Sequence, residues 1–299
     1  AYMQRARVLF GRHKFNLIWI EKEAFPWWPL WLEKLLVSGV PYVLDYDDAD
    51  FHYYDRHRWA WVRKLFGRRL DGLMAGAELV LAGNGYLAQR ARDAGARWVE
   101  ILPTVIDIDR YPNERSRPLL LSPEIIRVVW IGSPCTVHYL SILQVPLARL
   151  AEHMPFVLRV IGAEALELEG VQIETINWHE DTEAQNIRDC DIGIMPLLDA
   201  PFEQGKCGYK LIQYMACGLP VVASSVGANL EIVQQEVTGF LAKTQDDWYA
   251  ALMRLMNSDE LRHQLGAAGR QRVAERYCLQ QTGPLLKEFL VKAGQQSNL

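Results

Sequence analysis

Short, nearly unbroken apolar runs alternate with helix-length stretches whose apolar residues recur every three or four positions along most of the chain. In the first part the runs lie at 15–20, 41–44, 78–82 and 98–102, and helical patterns cover about 28–37, 57–75 and 85–94. Runs without polar alternation are what parallel strands need when helices cover both faces of their sheet. Residues 103–125 break the rhythm, because Pro103, Pro112, Pro118 and Pro123 punctuate a polar stretch that reads as an interdomain connection. The rhythm then restarts. Strands are predicted at 126–131, 156–161, 171–175, 191–195, 220–223 and 239–242, with helices at roughly 136–151, 182–189, 207–217, 247–256, 259–275 and 280–292. Gly218 and Pro220 stop the 207–217 helix, and Asp246 and Ser258 are expected to cap the two helices after it. The pattern predicts an α/β protein of two Rossmann-like, doubly wound domains, 1–120 and 121–299, facing a cleft.

Composition narrows the class. Half of the 299 residues are hydrophobic and 23% are charged, which excludes wholesale disorder. No run approaches the ~20 apolar residues of a membrane-spanning helix. The five cysteines include no C-x-x-C pair, and their odd number points to a reducing compartment, hence a cytoplasmic location. The net charge of −4 divides into +3 over residues 1–120 (18 Lys and Arg, 15 Asp and Glu) and −7 over the rest (14 and 21). That asymmetry is too mild for a nucleic-acid partner.

Chemistry is expected beyond the carboxyl ends of the strands, at helix starts. Gly132 ends a strand, lets backbone approach a phosphate, and is followed by Ser133 and Thr136 as hydroxyl donors; a plain turn capped by Thr136 fits equally well. Lys206 and Lys210 are four apart and share a face if the helix starts before them. Two cations there oppose the helix dipole unless an anion such as a diphosphate docks between them. Gln213, a turn later, could bond a ribose or a base edge. A solvated basic helix start is the alternative. There is no Ser/His/Asp arrangement, no metal-ligand spacing and no G-x-G-x-x-G, so a nicotinamide-dependent oxidoreductase is disfavoured.

A set of motifs in fixed order completes the picture. These are Leu102-Pro-Thr-Val-Ile-Asp107, Val129-Trp-Ile-Gly-Ser-Pro134, Asp191-Ile-Gly-Ile-Met-Pro-Leu197, Met215-Ala-Cys-Gly-Leu-Pro-Val-Val-Ala223, Gly227-Ala-Asn-Leu-Glu-Ile-Val233 and Val237-Thr-Gly-Phe-Leu241. With them, nearly the whole chain resembles the GT-B glycosyltransferases of family 4 (glycosyl transferases group 1), which are retaining and metal-independent. The resemblance implies a nucleotide-diphospho-sugar held by the second domain, an acceptor held by the first, and no cofactor. The two glutamates of the family's E-x7-E motif fall on Gly205 and Gln213 and are absent. The basic residue usual after the second domain's first strand is absent too. Lys206 and Lys210 are therefore expected to stabilise the leaving diphosphate, with Glu203 displaced into the sugar-contacting role. Glu231 matches the acidic residue that bonds the ribose. Glu21, Glu23, Asp47, Asp48 and Asn84 become acceptor-side candidates, Asp45–Asp50 alternatively forming no more than a polar loop. Relatives begin with two further βα units, so on the order of 60 residues are expected to be missing from the first domain. Loss of both glutamates and of those units leaves a non-catalytic nucleotide-sugar-binding or scaffold protein as the alternative.

The acceptor implied is a glycan or lipid-linked sugar, as in cell-surface polysaccharide synthesis. In 57–75, Trp59, Val62, Phe66, Leu70 and Leu73 form one helical face, and Arg58, Arg63, Lys64, Arg68 and Arg69 decorate the rest. This reads either as a basic amphipathic helix on an anionic membrane surface, making the protein peripheral on the inner face of the cytoplasmic membrane, or as an ordinary core helix with solvated cations.

Overall fold

The computed structural model describes residues 2–112, 125–164 and 167–296. They divide into two compact units. The first combines residues up to Thr104 with Ala200–Cys207 and the chain from Thr282 on, and the second holds Val105–Asp199 and Gly208–Gln281. The units differ from a linear division at residue 120 in three places, since the chain from Val105 already belongs to the second unit while Ala200–Cys207 and the chain from Thr282 belong to the first; residue 120 itself lies in 113–124, outside the described residues.

The first unit has four parallel strands, β1 (Ile18–Glu21), β2 (Tyr42–Tyr46), β3 (Leu79–Ala82) and β4 (Val99–Ile101), in that order across the sheet. Neighbouring side chains on a strand point to opposite faces, and both faces are covered. Leu44, Val80 and Ala82 pack with Leu36, Leu70 and Leu73 of the helices on one side. On the other side Val43, Leu79 and Leu81 pack on Ala293, Phe289 and Leu290 of the last helix, Leu279–Gln296. That burial explains why the C-terminal segment joins the first unit.

The second unit has six parallel strands, β5 (Ile126–Ile131), β6 (Phe156–Ile161), β7 (Gln172–Ile176), β8 (Ile192–Met195), β9 (Val221–Ser224) and β10 (Gly239–Ala242). Their order is β10-β9-β8-β5-β6-β7. Val128, Trp130, Ile192 and Val222 face one layer of helices, and Val129, Ile131, Val221 and Ala223 face the other. The winding direction reverses between β5 and β8, and ligands of such sheets bind at that reversal, beyond the carboxyl ends of the strands.

Four local expectations need correction. The stretch 57–75 is not one helix but two, Ala60–Phe66 and Arg69–Met74, broken at Gly67 and Arg68. The helix expected from 207 begins at Tyr209, after Gly208 in a left-handed conformation (φ +67°), so Lys206 lies outside it. Thr136 caps nothing; its hydroxyl donates to the Ser133 carbonyl at 3.1 Å, inside a turn that opens a 3-10 segment. Thr244, not Asp246, caps Gln245–Met256, its side chain and that of Asp247 each bonding the other's backbone N–H. Ser258 does cap its helix through the Leu261 N–H.

Candidate functional site

The second unit's site grows out of two glycines at the ends of adjacent strands. Gly132 follows β5, and its N–H donates to Ile161 at 2.9 Å, so it continues the ladder and is not available to a phosphate. A Cβ there would lie 2.5 Å from the Lys210 Nζ and 2.5 Å from the buried Trp130 ring. Gly162 follows β6 at φ +86°, where a Cβ would lie 2.7 Å from the Gly132 carbonyl oxygen. A side chain at Gly132 would displace the Lys210 ammonium or the Trp130 ring, and one at Gly162 would collide with the Gly132 backbone.

Lys210 is placed by the helix Tyr209–Ala216. Leu211, Ile212, Tyr214 and Met215 bury that helix against the sheet. The Tyr214 hydroxyl, fully buried, accepts the Ile131 N–H at 2.9 Å, and Gly193 leaves room for its ring. So anchored, the helix sets the Lys210 ammonium over the Trp130 ring, 4.4 Å from its centroid. Such a stack helps to hold the cation in place.

A second group closes the site. Glu183, from the helix Glu183–Arg188, accepts the Tyr111 hydroxyl at 2.8 Å, the Gln213 amide at 2.6 Å and the Trp178 indole N–H at 2.5 Å. Burial first, with the bond to Glu183 adding to it, raises the Tyr111 hydroxyl well above its ordinary range, so it stays a donor. Trp178, just past β7, is thereby pinned with its indole half exposed. The result is a cavity of about 370 Å³ lined by Gly132, Ser133, Gly162, Trp178, Lys210 and Gln213 among others.

The structure thus gathers Gly132, Ser133, Lys210 and Gln213 and leaves the other donor-side candidates elsewhere. Gln213 is 2% exposed, and its amide bonds Glu183 and Tyr111 (3.3 Å), so it braces Trp178 rather than reaching for a ribose. Thr136 and Glu231 do not line the cavity. Glu231 is exposed on the short helix Asn229–Ile232, where its carbonyl accepts from Arg272 at 2.5 Å. Sequence reasoning missed Trp178, Glu183 and Tyr111. The usable signal was Trp178 just after a predicted strand end.

Lys206 and Glu203 belong to the first unit. The Lys206 ammonium pairs with Asp48 at 3.5 Å and lies 4.9 Å from the Phe202 ring centroid, so it does not share a helix face with Lys210. Glu203 is buried on the short helix Pro201–Gln204 and does not line the cavity beside Lys210. Asn84 is buried and caps Gly85–Asp93 through the Leu87 N–H, while its amide donates to the carbonyls of Gly205 (2.9 Å) and Lys206 (3.3 Å). It staples Ala200–Cys207 to the first unit, so it is a structural residue and no acceptor contact.

Around β1 and β2 the acidic candidates meet one cation. Lys22 lies 2.9 Å from Asp47 and 3.6 Å from Asp50. Burial, helped by the neighbouring carboxylates, raises Asp45 and Asp50 to about 6 each, against the pull of Lys22. Glu23 is already committed: it accepts the Tyr54 hydroxyl at 2.8 Å and pairs with Arg69, which also pairs with the fully buried Glu33. Glu21, Lys22, Glu23, Asp50 and Tyr54 line a cavity of about 880 Å³ along β1. It is the larger of these two cavities. Among the described residues no cluster of His, Cys, Asp and Glu is arranged to hold a metal ion.

Residues 127–258, which include Gly132, Trp178 and Lys210, match the family described as glycosyl transferases group 1. A 77-residue stretch is 31% identical to N-acetyl-alpha-D-glucosaminyl L-malate synthase of Bacillus anthracis, covering 25% of this chain and 20% of that protein. A 95-residue stretch is 34% identical to D-inositol 3-phosphate glycosyltransferase of Saccharomonospora viridis, covering 31% and 22%. The matched stretches span about a fifth of those two relatives. Among solved structures, Anabaena HepE in complex with UDP superposes with a TM-score of 0.73 at 18% identity, covering 96% of this chain and 82% of that one. Sucrose-phosphate synthase from Thermosynechococcus elongatus gives 0.71 at 17% identity, covering 96% and 76%. The chain has the GT-B fold, with two Rossmann-like units, and its residues 127–258 are similar to the glycosyl transferases of group 1.

Proposed function

We propose that the protein is a glycosyltransferase that takes a sugar from a nucleotide-diphospho-sugar, with the donor's pyrophosphate seated between Gly132 and Lys210. One observation carries this reading: an ammonium group stacked on the Trp130 ring and so close to Gly132 that a Cβ there would collide with it, beside the reversal point of a doubly wound sheet. The HepE structures, described as complexes with UDP and with UDP-glucose, support it by analogy of fold.

The chemistry follows from charge. When the bond from the sugar's anomeric carbon to the diphosphate breaks, negative charge grows on the leaving oxygens. A cation already in place stabilises that charge more in the transition state than in the ground state. The start of the Tyr209–Ala216 helix adds its partial positive charge in the same place. Trp178, held by Glu183, offers a flat face for the nucleobase, an interaction worth roughly 1–3 kcal/mol. The departing diphosphate takes the acceptor's proton, so transfer proceeds with retention and without a protein nucleophile. The ammonium meets the charge that a divalent metal would otherwise meet, so no metal is required. The acceptor, a glycan or lipid-linked sugar of a cell-surface polysaccharide, is read by the first unit through the polar groups around Lys22, Asp47 and Asp50. The setting is cytoplasmic.

Calorimetric titration with UDP, GDP and their sugars tests the donor, and mass spectrometry of acceptor mixtures with and without EDTA tests transfer. The expected result is one preferred nucleotide-sugar and an EDTA-insensitive product that keeps the donor's anomeric configuration. No binding of any nucleotide overturns the proposal. Binding without transfer to any acceptor favours a non-catalytic nucleotide-sugar-binding protein.

A further inference from the structure

The first unit displays a row of half-exposed aromatic rings, anchored at one end where Trp27 packs edge-on against Tyr54 and Phe66. Trp27, His57, Trp59 and Trp61 lie ring to ring at 5.9, 5.3 and 5.9 Å, and the last two are stacked. Trp27 is 48% exposed, Trp59 49% and Trp61 59%, and Leu65, one turn beyond Trp61, is 69% exposed. Exposed indoles in a contiguous row are uncommon on a soluble surface and mark a place of contact. Trp27 is also held at φ +66°, a left-handed conformation that costs a non-glycine residue roughly 1–2 kcal/mol. The Tyr54 hydroxyl, accepting the Trp27 N–H at 3.2 Å, maintains it.

The charges around the row are of one sign. Arg56, Arg58, Arg63, Lys64 and Arg68 are all exposed, and no Asp or Glu occurs between Arg56 and Leu70. The flanking acids are drawn toward Arg90, Asp55 and Asp71 pairing with it at 2.9 and 2.7 Å, and Asp71 also lies 3.6 Å from Arg68, whose side chain stays exposed. Arg58 lies 4.7 Å from the Trp59 ring centroid, while Arg63 donates to the carbonyls of His57 (2.6 Å) and Arg58 (3.1 Å), fixing the turn that presents the row. The helix Ala60–Phe66 is anchored from beneath by Val62, 1% exposed. In 57–75, Val62, Leu70 and Leu73 are core, while Trp59, Trp61 and the cations form an exposed aromatic and basic surface.

We propose that this surface docks on an anionic lipid bilayer, the indoles entering the headgroup layer and the five cations lying against the lipid charge. Indole is the side chain that favours the boundary between water and hydrocarbon. Aromatic insertion and a cationic cluster are the two signals that together make reversible membrane attachment stable. A soluble polyanion would use the cations but leave three half-exposed indoles without a role.

Flotation of the full chain with vesicles of phosphatidylcholine alone, and of phosphatidylcholine with phosphatidylglycerol, tests this. The expected result is binding to the anionic vesicles only, weakening as salt rises. Lys64→Gln with Arg68→Gln lowers the partition coefficient about 30-fold, at about 1 kcal/mol per cation. Trp59→Ser with Trp61→Ser lowers it roughly tenfold or more. Serine at position 59 stands at the helix N-cap, where it is favoured, so the fold is kept. Circular dichroism with unchanged melting confirms that. Equal binding to neutral and anionic vesicles, no vesicle binding, or binding unaffected by both double variants overturns the proposal. So does tighter retention on heparin than on vesicles.

Discussion

Arg69 offers the sharpest test of how the first unit is held together. Its guanidinium is 2% exposed and ion-pairs with Glu23 and Glu33 while donating to the carbonyls of Trp28 and Phe25, each at 2.6 Å. Glu33, at 0% exposure, also accepts the Ala24 N–H at 2.7 Å. Arg69→Leu leaves the Glu33 carboxylate buried without its cation and orphans two carbonyls. Removing one partner of a buried pair costs about 3–5 kcal/mol, so we expect a loss of about 4 kcal/mol near pH 8. For a unit of this size that lowers melting by roughly 10–15 °C. Seven of the ten tryptophans precede residue 100, so intrinsic fluorescence follows mainly this unit. The pH dependence gives a second handle. Burial raises the Glu33 carboxyl above its ordinary value, against the pull of Arg69, and the substitution removes that pull. A carboxyl raised in the folded state takes up a proton on folding, so its penalty is full at high pH and fades as pH falls toward the unfolded value. The variant should therefore recover relative to wild type between pH 8 and 5. A loss under about 1.5 kcal/mol, or one that is the same at pH 8 and pH 5, refutes the reasoning.

Other consequences follow from the same geometry. Asp45, raised to about 6 by burial and by Asp47, destabilises the first unit fully above pH 6 and progressively less below it. Asp45→Asn should raise the melting temperature at pH 8 and lose that advantage as pH falls toward 4. Gly208→Ala puts a Cβ 2.3 Å from Ile232 Cδ1 at φ +67°; we expect a loss of roughly 2 kcal/mol in chemical denaturation and weaker nucleotide binding, because the helix carrying Lys210 starts there. Cys135 is exposed and the other four cysteines are buried, Cys190 and Cys207 with thiols pushed up to about 12. Thiol labelling of the native protein should therefore modify one cysteine rapidly and all five only on unfolding.

The strands were legible because burial on both faces writes itself as unbroken apolar runs, as in 126–131 and 156–161. The sites were less so. Spacing alone put Lys206 and Lys210 on one helix face, but Gly208 resets the backbone between them, and a glycine before a helix does not announce its φ. The stretch 57–75 carried a continuous apolar stripe, yet Arg69 on it is buried because its partners Glu23 and Glu33 come from 46 and 36 positions away. Glu183, Tyr111 and Gln213 form their network across 30 to 102 positions. Such polar pairings leave no local periodicity, whereas a hydrophobic face does.

The account rests on the Lys210 ammonium meeting a pyrophosphate. Calorimetric titration of wild type and Lys210→Met with the preferred nucleoside, its monophosphate and its diphosphate measures that contact directly. A charge-assisted hydrogen bond is worth about 1.5–3 kcal/mol, so the diphosphate should lose roughly 10- to 150-fold in affinity while the nucleoside loses almost nothing. An unchanged diphosphate affinity, or an equal loss for all three ligands, would contradict it.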